Sequence, residues 1–149
     1  MCGRSRTSVR GSSRESSTWT SRRRSPGSTS QPFTRSTTWW GAVGFVVRCG
    51  PWTLYHSGDT VAYAGLGERL RRFAPDVAIL PINGKVGNMD GREAAGVAKQ
   101  ARAGLAIPCH FEMFEFNTAS PDEFVDACAR LAQPYRILRA GERLTVPSA

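Results

Sequence analysis

Leu54-Tyr55-His56-Ser57-Gly58-Asp59-Thr60 decides how this chain is read, together with Ile107-Pro108-Cys109-His110 further along. In both stretches an apolar run ends in a side chain able to bind a metal. The end of a buried strand is where a sheet delivers ligands to a site at its edge. The sequence holds two histidines, His56 and His110, and both stand at such ends.

Outward from these stretches the pattern is orderly from Trp39 onward. Val43 to Cys49 reads as a strand, Gly50-Pro51 as a turn and Trp52 to Tyr55 as a second strand, a hairpin that runs into His56 and Asp59. Leu66, Leu70 and Phe73 follow at helical spacing, stopped by Pro75. Val77-Ala78-Ile79-Leu80-Pro81-Ile82 is apolar without alternation, which predicts a strand covered on both faces. Asn83 to Gly91 is rich in turn formers, Arg92 to Ala103 reads as an Ala-rich helix ended by Gly104, and Leu105 to Cys109 as another buried strand. Ser120-Pro121-Asp122-Glu123 supplies a cap, a proline suited to a first turn and two first-turn acids for a helix to Leu131. Tyr135 to Leu138 and Arg143 to Val146 are expected as closing strands around Gly141. This order of strands and helices is that of an α/β layered architecture.

Five segments in this order carry a resemblance. Gly44-Phe45-Val46-Val47, Leu54 to Thr60, Leu80-Pro81-Ile82-Asn83-Gly84, Met89 with Glu93-Ala94, and Ile107-Pro108-Cys109-His110-Phe111 resemble the C-terminal half of metallo-β-lactamase-fold hydrolases. The branch they resemble contains ascorbate-6-phosphate lactonase, with the phosphodiesterase that cleaves N-acyl phosphatidylethanolamine as a cousin. The resemblance covers residues 41–147 and implies half of an αββα sandwich, with zinc or manganese at the edge between the halves. It implies metal ligands at Asp59, matching the carboxylate that bridges the metals, and at His110, matching the last histidine. A carboxylate offers two oxygens to two cations and neutral imidazole is the commonest nitrogen ligand. Metal-activated water would then attack a lactone, ester or phosphodiester of a small-molecule substrate.

Around these two residues several assignments stay open. His56 is expected to pack or to support the site without ligating. Ser57 and Thr60 either orient the Asp59 carboxylate or act as plain turn and cap residues. Asn83 and Gly84 either line the mouth of the site or form a turn, and Cys109 reads as a buried, inert thiol.

The chain departs from the family in lacking the HxHxDH metal motif, because no histidine precedes His56. Asp59 and His110 alone fall short of the three protein ligands of a catalytic zinc. Metal binding by this chain is therefore expected to be weak and the chain inactive. Loss of the other half would also leave an apolar sheet face open to self-association.

Residues 1–38 differ in kind. They hold eight arginines against a single acid, Glu15, and 18 Ser or Thr, with no Leu, Ile, Ala, Asp, Asn or Lys. Most of the formal charge of +8 lies there, so the isoelectric point says little about partners of the body. Without apolar surface to offset the entropy of ordering, this segment is expected to be disordered. It reads as a mistranslated stretch, as an organellar transit peptide lacking its apolar face, or as an arginine arm for nucleic acid. The last would make the chain a non-catalytic α/β binding module, the alternative to a hydrolase. The expected domains are thus a tail over 1–38 and a half-domain over 39–149. No secretory pattern or run of about 18 apolar residues occurs, which excludes a membrane helix by pattern. The four cysteines show no CxxC spacing. Free thiols, mostly buried, in a cytoplasmic protein are expected.

Overall fold

Trp52–His56, Val77–Pro81 and Leu105–Cys109 lie side by side, and this is what sets the architecture. The computed structural model describes residues 31–34, by their backbone, and 43–145. The elements run β1 (Gln31–Thr34), β2 (Val43–Cys49), β3 (Trp52–His56), α1 (Leu66–Arg71), β4 (Val77–Pro81), α2 (Gly91–Ala101), β5 (Leu105–Cys109) and α3 (Asp122–Leu131). The strands form one five-stranded sheet in sequential order. β1, β2 and β3 pair antiparallel, whereas β3, β4 and β5 pair parallel. The parallel pairs are joined by crossovers through α1 and α2, so the ends of β3, β4 and β5 share one edge.

Each junction is tied by backbone bonds. Asp76 joins the starts of three strands: its carboxylate accepts from Thr53 N–H at 2.7 Å, its own N–H donates to Thr53 O, and its carbonyl accepts from Leu105 N–H. At the far edge Ser57 N–H donates to Ile79 O and Ile82 N–H to Cys109 O, both at 3.1 Å.

The register divides the sheet faces cleanly. Val46, Tyr55, Ala78, Leu80 and Ala106 share one face, and all are buried in the core beneath the helices. α2 supplies Ala94, Ala95, Val97, Ala98 and Ala101 to that core, α1 supplies Leu66 and Leu70, and α3 supplies Phe124, Ala127 and Cys128. Small alanines let α2 lie close between its neighbours. At Gly91 the approach to α3 leaves no room for a side chain, since a Cβ there would stand 2.6 Å from Phe124 N. The opposite face carries Val43, Phe45, Val47, Leu54, Val77, Ile79, Leu105 and Ile107. Val77 and Ile107 are buried, but Phe45 is half exposed and Val43 and Val47 nearly as much. The two-sided covering expected for Val77–Ile82 therefore holds, with Ile79 alone half-buried, while the face opposite the helices opens toward β2.

Three expectations are corrected. Residues 31–34, placed in the disordered tail, pair with β2, so ordered structure begins before Trp39 there; the rest of the tail reading lies outside the described residues. The closing strands do not form between residues 135 and 145. Tyr135 makes one isolated bridge beside Ala106, with Arg136 N–H donating to Ala106 O at 3.0 Å. The chain then turns, held by the Arg136–Glu142 ion pair at 2.8 Å, and Val146 lies outside the described residues. Finally, α2 starts at Gly91 and ends at Ala101, two residues short of expectation. Arg102 takes a left-handed φ of 57°, and its turn leads Gly104 N–H to Pro75 O and Leu105 into the sheet. A capping box at Asp90 and Glu93, with N–H to carboxylate distances of 2.8 and 3.0 Å, fixes the other end.

Candidate functional site

Asp59 and His110 meet at the sheet edge: His110 Nε2 lies 3.1 Å from Asp59 Oδ1. Asp59 follows the end of β3 and His110 the end of β5, the two outer members of the parallel trio. They reach each other across the end of β4. Both side chains remain accessible, Asp59 at 64% and His110 at 38%, so the pair faces solvent and is not buried structural ballast.

The backbone around both residues is constrained. Gly58 has a φ of +62°, and a Cβ there would stand 2.6 Å from Val43 O. Glycine is the residue that fits, and it turns Asp59 toward β5. His110 itself has a φ of 58°, a conformation uncommon outside glycine, and Glu112 another at 52°. Strain of this kind collects at functional sites, where surrounding structure over-determines it.

The neighbouring residues take distinct places. His56 is exposed, and its Nδ1 accepts from Gly58 N–H at 3.0 Å, which assigns the proton of the neutral ring to Nε2. Ser57 is buried and its hydroxyl donates to Gly58 O at 2.8 Å, while the Thr60 hydroxyl donates to Val61 O at 3.3 Å. Both hydroxyls thus serve backbone carbonyls. Asn83 is buried after β4, and its Nδ2 donates to Asn117 Oδ1 at 2.6 Å, joining the loop after β4 to the loop after β5. Its Oδ1, with Asn88 Oδ1 and Thr118 Oγ1, has no hydrogen-bond partner among the described residues. Gly84 sits in the same turn at a φ of 62°. Burial, with a lesser push from Asp59, raises the Cys109 thiol to about 12, so it stays protonated and is a poor ligand. Burial likewise raises Cys128 to about 12, whereas Cys49 is exposed.

The donor set can be tested against a metal. Two ligands about 2.0–2.1 Å from a tetrahedral ion stand roughly 3.3 Å apart. The 3.1 Å separation of Asp59 Oδ1 and His110 Nε2 is close to that of two corners of such a site. A complete centre is not furnished, because no group of three or more His, Cys, Asp or Glu able to hold a metal occurs among the described residues. The pair fits half a centre, and a catalytic zinc with three protein ligands does not fit the described residues by themselves.

One feature of the edge was not legible beforehand. Met113, Phe114 and Phe116 are exposed on the loop that follows His110, and Asn117 is the residue that ties this loop to Asn83. Apolar letters in Phe111-Glu112-Met113-Phe114-Glu115-Phe116 look like core in sequence, and only the fold tells which reach solvent. The signal was the interleaved Glu112 and Glu115.

No protein-family model matches the chain. Among curated proteins it is 32% identical over 118 residues to a UPF0173 metal-dependent hydrolase of Caldivirga maquilingensis, covering 78% of this chain and 52% of that protein. It is 35% identical over 103 residues to one of Opitutus terrae, covering 69% and 44%. The chain therefore spans about half the length of the curated relatives it matches. Among solved structures it superposes with a TM-score of 0.63 on Igni18, a metallo hydrolase from the archaeon Ignicoccus hospitalis, at 28% identity over 72% of this chain and 46% of that one. YhfI of Bacillus subtilis, a metallo-β-lactamase fold protein, gives a TM-score of 0.60 at 19% identity over 75% and 51%, a likeness of fold. Among the described residues no helix is long and apolar enough to cross a membrane. With Asp59 and His110 at the shared end of the three parallel strands and these relatives around it, the chain carries part of the metallo-β-lactamase fold and is a relative of the UPF0173 metal-dependent hydrolases.

Proposed function

We propose that this chain is the C-terminal half-domain of a metal-dependent hydrolase, with Asp59 and His110 as ligands to zinc or manganese. The substrate is a small molecule with a lactone, ester or phosphodiester bond. His56 and Gly58 hold the turn that presents Asp59, and Asn83 and Gly84 shape the opposite lip. The observation that carries this reading is the Asp59–His110 pair, two accessible donors held 3.1 Å apart by strained or glycine-dependent backbone at the end of parallel strands. By itself the chain is inactive, cytoplasmic and prone to self-association through Val43, Phe45 and Val47, whose exposure leaves an apolar sheet face to water.

Elemental analysis of the purified chain after dialysis tests this reading. We expect zinc or manganese at sub-stoichiometric occupancy, reduced further by His110→Ala or Asp59→Ala. Two tightly held ions per chain would refute the half-site. The DNA upstream of the codon for Trp39 supplies an independent check. Read in the other frames, it should encode an HxHxDH motif, and restoring that frame should give a metal-loaded hydrolase that Asp59→Ala inactivates.

A further inference from the structure

We propose that the loop Glu112–Phe116 is the platform that takes the apolar portion of the substrate, so that the substrate is a neutral ester or lactone bearing an alkyl or aryl group. The inference rests on the hydrolase reading and adds its substrate class. It begins from an exposure that core packing does not explain. Met113 is 66% exposed, Phe114 54% and Phe116 79%, three large apolar side chains within four residues. Clustered apolar exposure of this kind marks interaction sites.

The loop is held in place at both ends. Phe111 packs against the core, and the left-handed turns at His110 and Glu112 swing the following residues outward. At the other end Asn117 accepts from Asn83 at 2.6 Å, and Asn117 N–H closes a turn onto Phe114 O at 3.2 Å. Between these anchors the Phe114 and Phe116 rings stack, with centroids 5.8 Å apart and planes 25° from parallel. A stacked pair presents a flat apolar surface without the entropy cost of assembling it on binding.

Position gives the occupant. Phe114 lies four residues from His110, and four residues span at most roughly 14 Å. A group resting on the rings therefore has its reacting bond within reach of the Asp59–His110 pair. Charge narrows the class. Glu112 and Glu115 interleave with the exposed Met113, Phe114 and Phe116 on the loop itself. An anionic group resting on the rings would meet these two carboxylates, whereas a neutral one would not.

The full chain labelled with 13C at its methionine methyls provides the test. Met113 reports the loop, Met89 is fully buried and reports the fold, and Met113→Leu assigns the signals. The probes are γ-nonanolactone, γ-butyrolactone and the nonanoate anion. Burial of two methylenes at about 0.8 kcal/mol each corresponds to at least about ten-fold in affinity. We expect γ-nonanolactone to shift Met113 at least about ten-fold more tightly than γ-butyrolactone, and more tightly than nonanoate, with Met89 unmoved. Phe114→Ser with Phe116→Ser should abolish the shift; should that protein fail to fold, Phe116→Ser alone should weaken it several-fold. Asp59→Ala should leave the Met113 shift intact, which separates this inference from the metal reading. Equal binding of the three probes, a shift that survives loss of both rings, or conversion of a dimer to a monomer by the ring exchanges in sedimentation would overturn it. The last outcome would make the loop a protein contact.

Discussion

Replacing Gly58 with alanine separates backbone conformation from close contact at the site, provided Gly50→Ala is measured beside it. The two glycines have nearly the same left-handed φ, +62° and +57°. Alanine in that conformation costs about 1–2 kcal/mol at either position. Their surroundings differ: a Cβ at Gly50 meets nothing within 4 Å, but at Gly58 it would stand 2.6 Å from Val43 O. Ordinary contact begins at 3.4 Å, so something must retreat by about 0.8 Å, the difference of the two distances. β2 is paired on both sides, with β1 and β3, so the loop Ser57–Thr60 yields. Backbone shifts forced in a packed region cost about 1–3 kcal/mol. Gly58→Ala should therefore lose about 2–5 kcal/mol in urea unfolding and Gly50→Ala about 1–2 kcal/mol. Because the yielding loop carries Asp59, only Gly58→Ala should also displace the imidazole resonances of His110, whose Nε2 lies 3.1 Å from Asp59. Equal losses for the two variants, or an unchanged His110 spectrum in Gly58→Ala, would refute the reasoning.

Phe124→Ala removes a fully buried ring that packs under α2 and meets Tyr135 edge-on at 6.0 Å, and it should cost about 3–5 kcal/mol in denaturant unfolding. Asn83→Ala breaks the 2.6 Å bond to Asn117, and chymotrypsin should then cut after Phe114 or Phe116 measurably faster while the global unfolding midpoint falls only slightly. Burial raises the Cys109 and Cys128 thiols from 9.0 to about 12, so the folded state keeps protons that the unfolded state gives up. Their contribution to stability is full below pH 9.0 and is lost as pH rises toward about 12. Unfolding midpoints followed across that range should fall, and less steeply in Cys128→Ala. At pH 8, Cys49, which is exposed, should react with a thiol reagent well before either of them.

What sequence determined by itself were the elements with a strong local signal. β2 ends at Gly50-Pro51 and β5 begins after Gly104, because strand termini are set by residues adjacent in the chain. The motif ends at Asp59 and His110 were legible for the same reason. That they share one site was implied only by the family resemblance, and the 3.1 Å across β4 follows from parallel register, a property of strands distant in sequence. Long-range pairing also decided the failures. Tyr135–Leu138 has strand-like composition, yet it forms a single bridge because the chain turns away through Gly141 under the Arg136–Glu142 pair. Residues 31–34 carry no apolar pattern, yet their backbone bonds to β2, and backbone groups need a partner edge more than a side-chain pattern. Likewise Val43, Phe45 and Val47 look like core in sequence, and only the placement of all three helices on the opposite face exposes them. Apolar composition fixes that a residue favours burial; which face receives cover is settled by where the crossovers run.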